Sequence, residues 1–197
     1  MMTYPAIISD PKTGKGRIER AALFLFSEST IEGVSTKRIA EDADVSEGLI
    51  YRHFESKGDL ARALMLTIHN RLTQKITDID QLDIAVTEKV QRLVVDYCYI
   101  ADADWPLFKY HLLHLHRFSD LSDGSEGSPH AAAASLLEKA MKRGDIPSEN
   151  ANLLAAMALG VVLQAAQTKI LGAITGPLLP HAGRLTQGVL SVVGLED

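Results

Sequence analysis

"GVSTKRIAEDADVSEGLIYRHFESKGDL", residues 33–60, sets three helix starts in quick succession. Ser35 precedes the first, Ser46 the second, and Ser56 with Asp59 three positions on forms the capping box of the third. Between the first two helices lies only Asp44-Val45, room for a tight turn and nothing more. In the middle helix Ile50 and Phe54 are four apart and share a face, and Val45 joins them over Ile39, Ala43 and Ala22. That face is core. Glu47, Gly48, Tyr51 and Arg52 fall on the other side, where a merely solvated helix carries Lys, Glu and Gln rather than Gly and Tyr. This second face is built to dock against something.

Working outward, the same helical spacing continues in both directions, and no alternating β-branched run bounded by turns interrupts it, so the chain is predicted to be all-α. Upstream, a helix spans about 16–28 with Ile18, Ala21, Ala22, Leu25 and Phe26 on one stripe, and Thr13-Gly-Lys-Gly16 ends a flexible arm, residues 1–16. Downstream, the helix opened by Ser56 runs to about Thr77. Longer helices follow at about 84–103, 106–116, 131–143, 148–171 and 180–193, and the Gly/Ser-rich stretch 119–130 reads as a mobile loop. The organisation expected is an arm (1–16), a three-helix helix-turn-helix domain (17–64) and a C-terminal helical domain (65–197).

The 197 residues hold 20 Lys+Arg against 25 Asp+Glu, so affinity for a polyanion cannot rest on bulk charge. It must rest on local geometry. Lys12, Lys15, Arg17 and Arg20 face the single anion Glu19, and Lys37, Arg38, Arg52 and Lys57 recur at element ends. Cys98 is the only cysteine, which excludes an internal disulfide, and no cationic leader with an apolar stretch opens the chain. The longest apolar run, Leu153 to Leu163, stops well short of the roughly 20 residues a membrane span needs. A cytoplasmic protein with no membrane association is expected.

Two short helices joined by a tight turn, the second presenting its N-terminal residues outward, is the arrangement that fits a DNA major groove. Gly48 lets a backbone approach closely, Tyr51 offers a hydroxyl to a phosphate, and Arg52 and Lys57 offer charge. Residues 17–64, with Ile18, Ala21, Ala22, Phe26, Ile39, Ala40, Val45, Ser46, Tyr51, Phe54, Lys57 and Leu60 in register, resemble the DNA-binding domain of the tetracycline-repressor (TetR) family of bacterial transcriptional regulators. The resemblance implies that Thr36 and Lys37 meet DNA at the start of the second helix and that Glu47 and Gly48 lie against base edges. It implies also that Tyr51, His53 and Lys57 hold phosphates, with Arg17, Ser46 and Arg52 completing the contact set. Three departures accompany it: Asp44 where the turn usually has Gly, Thr30-Ile31 in place of a Gly-aromatic pair, and Glu47, whose carboxylate repels phosphate yet accepts from cytosine N4.

The penultimate helix is apolar nearly all round, which calls for cover on every side. With the matching stripe of the last helix, Leu154, Ala158, Val161, Val162, Ala165, Leu185, Val189 and Val192 are expected to form a two-fold homodimer interface, and two-fold symmetry in turn predicts a palindromic operator in double-stranded DNA. Tyr97, Trp105, Phe108, Tyr110, His111 and His114 concentrate where the family binds a small-molecule ligand, although an aromatic stripe at helical spacing is more often core. His111, His114 and His116 do not converge on one side of a helix, even with Cys98 near in sequence, so neither metal nor cofactor is expected. No nucleophile elbow, phosphate loop or H-E-x-x-H occurs, and no enzyme is expected. The function predicted is a DNA-binding regulator, in this family most often a repressor released by a ligand. The other reading is a helical ligand-binding or protein-interaction module that no longer binds DNA.

Overall fold

The computed structural model describes residues 9–121 and 127–195. Among them the elements are α1 (Gly14–Glu28), α2 (Thr36–Asp42), α3 (Glu47–His53), α4 (Lys57–Asp80), α5 (Val86–Ala103), α6 (Trp105–His114), α7 (Pro129–Arg143), α8 (Ala151–Ile170) and α9 (Ala182–Val192). Short 3-10 segments stand at Leu115–Leu121 and Leu179–His181, and no strand occurs among the described residues. The all-α class follows directly. Two compact units result: one takes the chain up to Arg71 together with Pro106–Ser119, the other Leu72–Trp105 and the chain from Asp120 on. Residues 65–71 and 106–119 thus group with the N-terminal helices, beyond the boundary the sequence suggested at 64.

α1 begins earlier than its apolar stripe indicates. Thr13 is its N-cap, accepting from the amide of Gly16 at 3.0 Å, and Thr13 in turn donates through both its amide and its hydroxyl to the carbonyl of Asp10. A Cβ on Gly16 would sit 2.0 Å from that carbonyl oxygen, so glycine is what lets the turn close on the helix. Residues 10–16 are therefore an ordered turn and first helical turn rather than the end of an arm, while residues 1–8 lie outside the described residues. Of the loop expected at 119–130, residues 122–126 also lie outside them. Pro129 is the first residue of α7 behind its cap Ser128, and Gly144 closes it in the left-handed region at φ 78°.

In the first unit Ile18, Ala22, Leu23, Phe26, Ile39 and Ile50 are wholly buried, with Ala40, Ala43 and Phe54 close behind. Leu23 takes the buried place that the sequence stripe gave to Leu25, because α1 is covered on more than one side and its apolar face is wider than one row. α4 lends Leu60, Ala61, Leu64, Met65 and Ile68 to the same core. The second unit packs α7 on α8, α5 on α9 and α8 on α9. Its connection into α9 is held by Asp102, whose two carboxylate oxygens accept from the amides of Leu178 and Leu179 at 2.8 Å each. The α4–α5 corner is held by the buried Lys89, which donates to the Asp80 carbonyl, while the Asp80 carboxylate also takes Lys139.

Candidate nucleic-acid interface

The turn between α2 and α3 sets everything that α3 presents. Asp44 stands at φ 51°, the left-handed conformation that usually calls for glycine, and the Val45 amide donates back to the Ala40 carbonyl at 3.0 Å. Asp is one of the few residues able to hold that conformation, so the departure from glycine leaves the turn intact. α3 then buries Ile50 and turns Ser46, Glu47, Gly48, Tyr51, Arg52 and His53 to solvent. Ser46 is the N-cap in position only: it is extended, but its hydroxyl makes no cap bond to the helix. Glu47 in the first turn and Arg52 and His53 in the last both complement the helix dipole.

A Cβ built on Gly48 meets no atom within 4 Å. Nothing in its own chain therefore requires a glycine there, though glycine in a helix costs roughly 1 kcal/mol relative to alanine. Tyr51 is 53 % exposed, which is unusual for so large a ring on a short helix. Beside it, the Thr36 hydroxyl at the start of α2 donates to Oε1 of Glu47 in a short bond and lies 3.4 Å from the Tyr51 hydroxyl. The structure thus brings Thr36, Glu47 and Tyr51 into one polar cluster. Lys37 and Arg17 are exposed on α2 and α1, and no bond among the described residues ties Arg17, Arg52 or His53 to the cluster.

Lys57 differs from expectation. Its Nζ donates to the carbonyls of Glu32 and Val34, at 3.0 and 2.5 Å, so its charge holds the α1–α2 connection rather than projecting outward. The end of α1 and that connection are braced again from α6 and the 3-10 segment after it. Lys109 pairs with Glu28, His114 Nε2 lies 2.8 Å from the Phe26 carbonyl, and Arg117 pairs with Glu32. A backbone hydrogen bond, followed by Arg117, keeps the Glu32 carboxyl below its ordinary range. None of these three contacts was legible in the sequence, since each joins residues more than eighty positions apart with no local spacing to announce it.

The six residues expected around a ligand divide between the two units. Phe108 and Tyr110 are fully buried, and the Tyr110 hydroxyl donates to the Ala61 carbonyl at 2.7 Å while its ring lies against Phe26 and His114. They pack the core of the first unit, as an aromatic stripe usually does. His111 is buried with its Nε2 3.2 Å from Nδ1 of His69, and burial followed by the neighbouring His69 pushes its pKa down to about 3. Burial alone lowers that of His69. In the second unit Trp105 carries the Lys169 ammonium over its ring, 4.9 Å from the centroid. A cavity of about 390 Å³ in that unit opens at the start of α5, lined by Leu82–Thr87, Lys89, Arg143, Asp145 and Leu195, and neither Tyr97 nor Trp105 lines it.

The interface residues expected on α8 and α9 need a correction. Leu154, Val162 and Val189 are buried within their own chain, at 3, 6 and 6 % exposure, which leaves them little surface to offer a partner. α8 packs on both α7 and α9. Ala158, Val161, Ala165, Leu185 and Val192 are partly exposed, and α8 leaves Leu153 and Met157 exposed at 59 and 49 %. Among the described residues α8 is also the one helix long and apolar enough to cross a membrane, and only 22 % of its apolar 18-residue window is buried.

Residues 18–64 match the family described as bacterial regulatory proteins, tetR family. The chain is 36 % identical over 104 residues to the HTH-type transcriptional regulator HbdR of Aromatoleum, and 34 % identical over 90 residues to an HTH-type transcriptional regulator of Staphylococcus aureus. Those alignments take 50 and 45 % of this chain and 44 and 47 % of the relatives, so the chain spans less than half the length of the relatives it matches. By fold it is similar to the Bacillus subtilis regulator FadR in complex with stearoyl-CoA (TM-score 0.77, 17 % identity, 92 % of this chain and 98 % of that one). It is similar also to Mycobacterium smegmatis AmtR (TM-score 0.71, 20 % identity, 96 % of this chain and 91 % of that one).

Proposed function

Because the chain belongs to the TetR family of bacterial regulatory proteins, we propose that it is a cytoplasmic transcriptional regulator, a binding protein rather than an enzyme, that grips double-stranded DNA through α2 and α3. The observation that carries this is Gly48: an exposed helical glycine, where an added Cβ would meet nothing beyond its own helix, flanked by an outward tyrosine and the first turn of a short helix. A duplex that approaches the α3 backbone closely accounts for it. A homodimer formed through the outer face of α8 with α9 would bind a palindromic operator with half-sites about one helical turn, 34–36 Å, or a multiple of it apart.

Ligand control is part of the same reading. α6 and the 3-10 segment after it are bonded to the end of α1 and to the loop that follows it through Lys109, His114 and Arg117. A small molecule that favours one setting of these helices would release a repressor from its operator, with a coupling of about 1–3 kcal/mol, through its differential affinity alone. The fold neighbour FadR holds stearoyl-CoA, so long-chain acyl-CoA is the first probe to try. The reading is tested by incubating the protein with a random duplex pool at about 150 mM salt, where non-specific binding is weak, and sequencing what is retained. An enriched palindrome supports it. No enrichment by a folded protein freed of co-purified ligand favours the module that has lost DNA binding.

A further inference from the structure

We infer that Glu47 is the base-selecting residue of this surface and that the Thr36 hydroxyl is the positioning group that makes it so, the selected base being cytosine. The inference rests on the regulator reading and deepens it. Glu47 opens α3 on the outward face, and among the described residues no cation pairs with its carboxylate. What holds it is the hydroxyl of Thr36 on the other helix of the motif, bonded to Oε1, with the Tyr51 hydroxyl 3.4 Å behind. A carboxylate accepts and cannot donate. The single proton of the Thr36 hydroxyl is thereby committed to Glu47, and Tyr51 O–H is left to donate to the Thr36 oxygen. The chain Tyr51 to Thr36 to Glu47 runs in one direction and presents acceptor character at its end.

An acceptor-only group facing base edges discriminates among them by sign. Guanine offers O6 and N7 and thymine O4, all acceptors that repel it. Adenine's N6 donor lies between two acceptors, its own N7 and the O4 of its paired thymine, whereas cytosine's N4 donor has an acceptor on one side only, the O6 of its paired guanine. Cytosine is preferred for that reason. A flexible, solvated glutamate would lose most of this preference to motion, since recognition needs the group held in place before the base arrives. The threonine supplies that hold from a helix start half-buried against α3.

The test is selection from a random duplex pool by the wild type and by Glu47→Gln, Thr36→Val and Thr36→Ser, each confirmed folded by thermal melting. In the wild-type motif one column per half-site is cytosine, favoured about 5- to 150-fold over other bases, the span of one good base contact. With Glu47→Gln that column passes to adenine, whose N6 and N7 an amide can satisfy together. Thr36→Val lowers selectivity in that column severalfold while the other columns keep their preferences, and Thr36→Ser restores it. A motif in which no column responds to Glu47→Gln overturns the inference and leaves the regulator reading standing. Equal selectivity in Thr36→Val and wild type overturns the role given to Thr36. A wild type that selects no duplex overturns the regulator reading and this inference with it.

Discussion

A lysine at the first position of a helix adds charge to an end that is already positive. Lys57 is accommodated there because its ammonium is drawn back to the carbonyls of Glu32 and Val34. Lys57→Met keeps the aliphatic stem and removes both bonds, so the chain should lose about 1–3 kcal/mol of stability in urea denaturation. An unchanged midpoint would mean that the ammonium is simply solvated. His111 makes the opposite kind of demand. Its pKa falls to about 3 in the folded chain, against about 6.5 unfolded, so the unfolded state binds the extra proton first as pH drops. Its contribution is therefore complete above about pH 6.5 and is lost progressively as pH falls toward about 3. Melting temperatures measured from pH 7 to 4 should decline, and His111→Gln, which cannot charge, should flatten the decline.

The helices of residues 33–60 were legible because each carries its own start signal and they are too short for more than one arrangement of their apolar residues. Even the Asp44 turn was readable, and it makes a test of the element. Asp44→Gly should hold or raise stability, and Asp44→Val should lower it by roughly 1–2 kcal/mol, the cost of a left-handed conformation for a residue without Asp's local bonding. Equal melting temperatures for the two would show that the turn tolerates any residue. Elsewhere the reading fell short for physical reasons. α8 is apolar on every side, so its sequence could not say that Leu154 and Val162 face inward while Leu153 and Met157 face out. α6 ends at His114 and passes into a 3-10 segment whose Phe118 departs from helical geometry (φ −114°, ψ 43°), although apolar spacing alone would continue it. Lys57 and His114 were assigned outward or ligand roles because partners distant in the sequence leave no trace in local spacing.

At the scale of the whole molecule, the exposed apolar residues of α8 are where we propose that a second copy of the chain docks. Met157→Asp places a charge among them at a position that is 49 % exposed. Sedimentation should therefore shift from dimer to monomer without loss of helix content, and a wild type already monomeric at micromolar concentration would remove the dimer from the account. The central claim is that the outward face of α3 meets DNA, and Gly48→Leu tests it most directly. Beyond the adjoining residues and backbone of α3 itself, no atom stands within 4 Å of the added Cβ, so the fold should survive and α3 should gain up to about 1 kcal/mol of helix propensity. In a fluorescence-anisotropy titration of the duplex selected by the wild type, the account predicts melting at or above the wild-type temperature with affinity down by at least about 100-fold, the scale of an interface whose centre is blocked. Wild-type affinity in the leucine variant would contradict it.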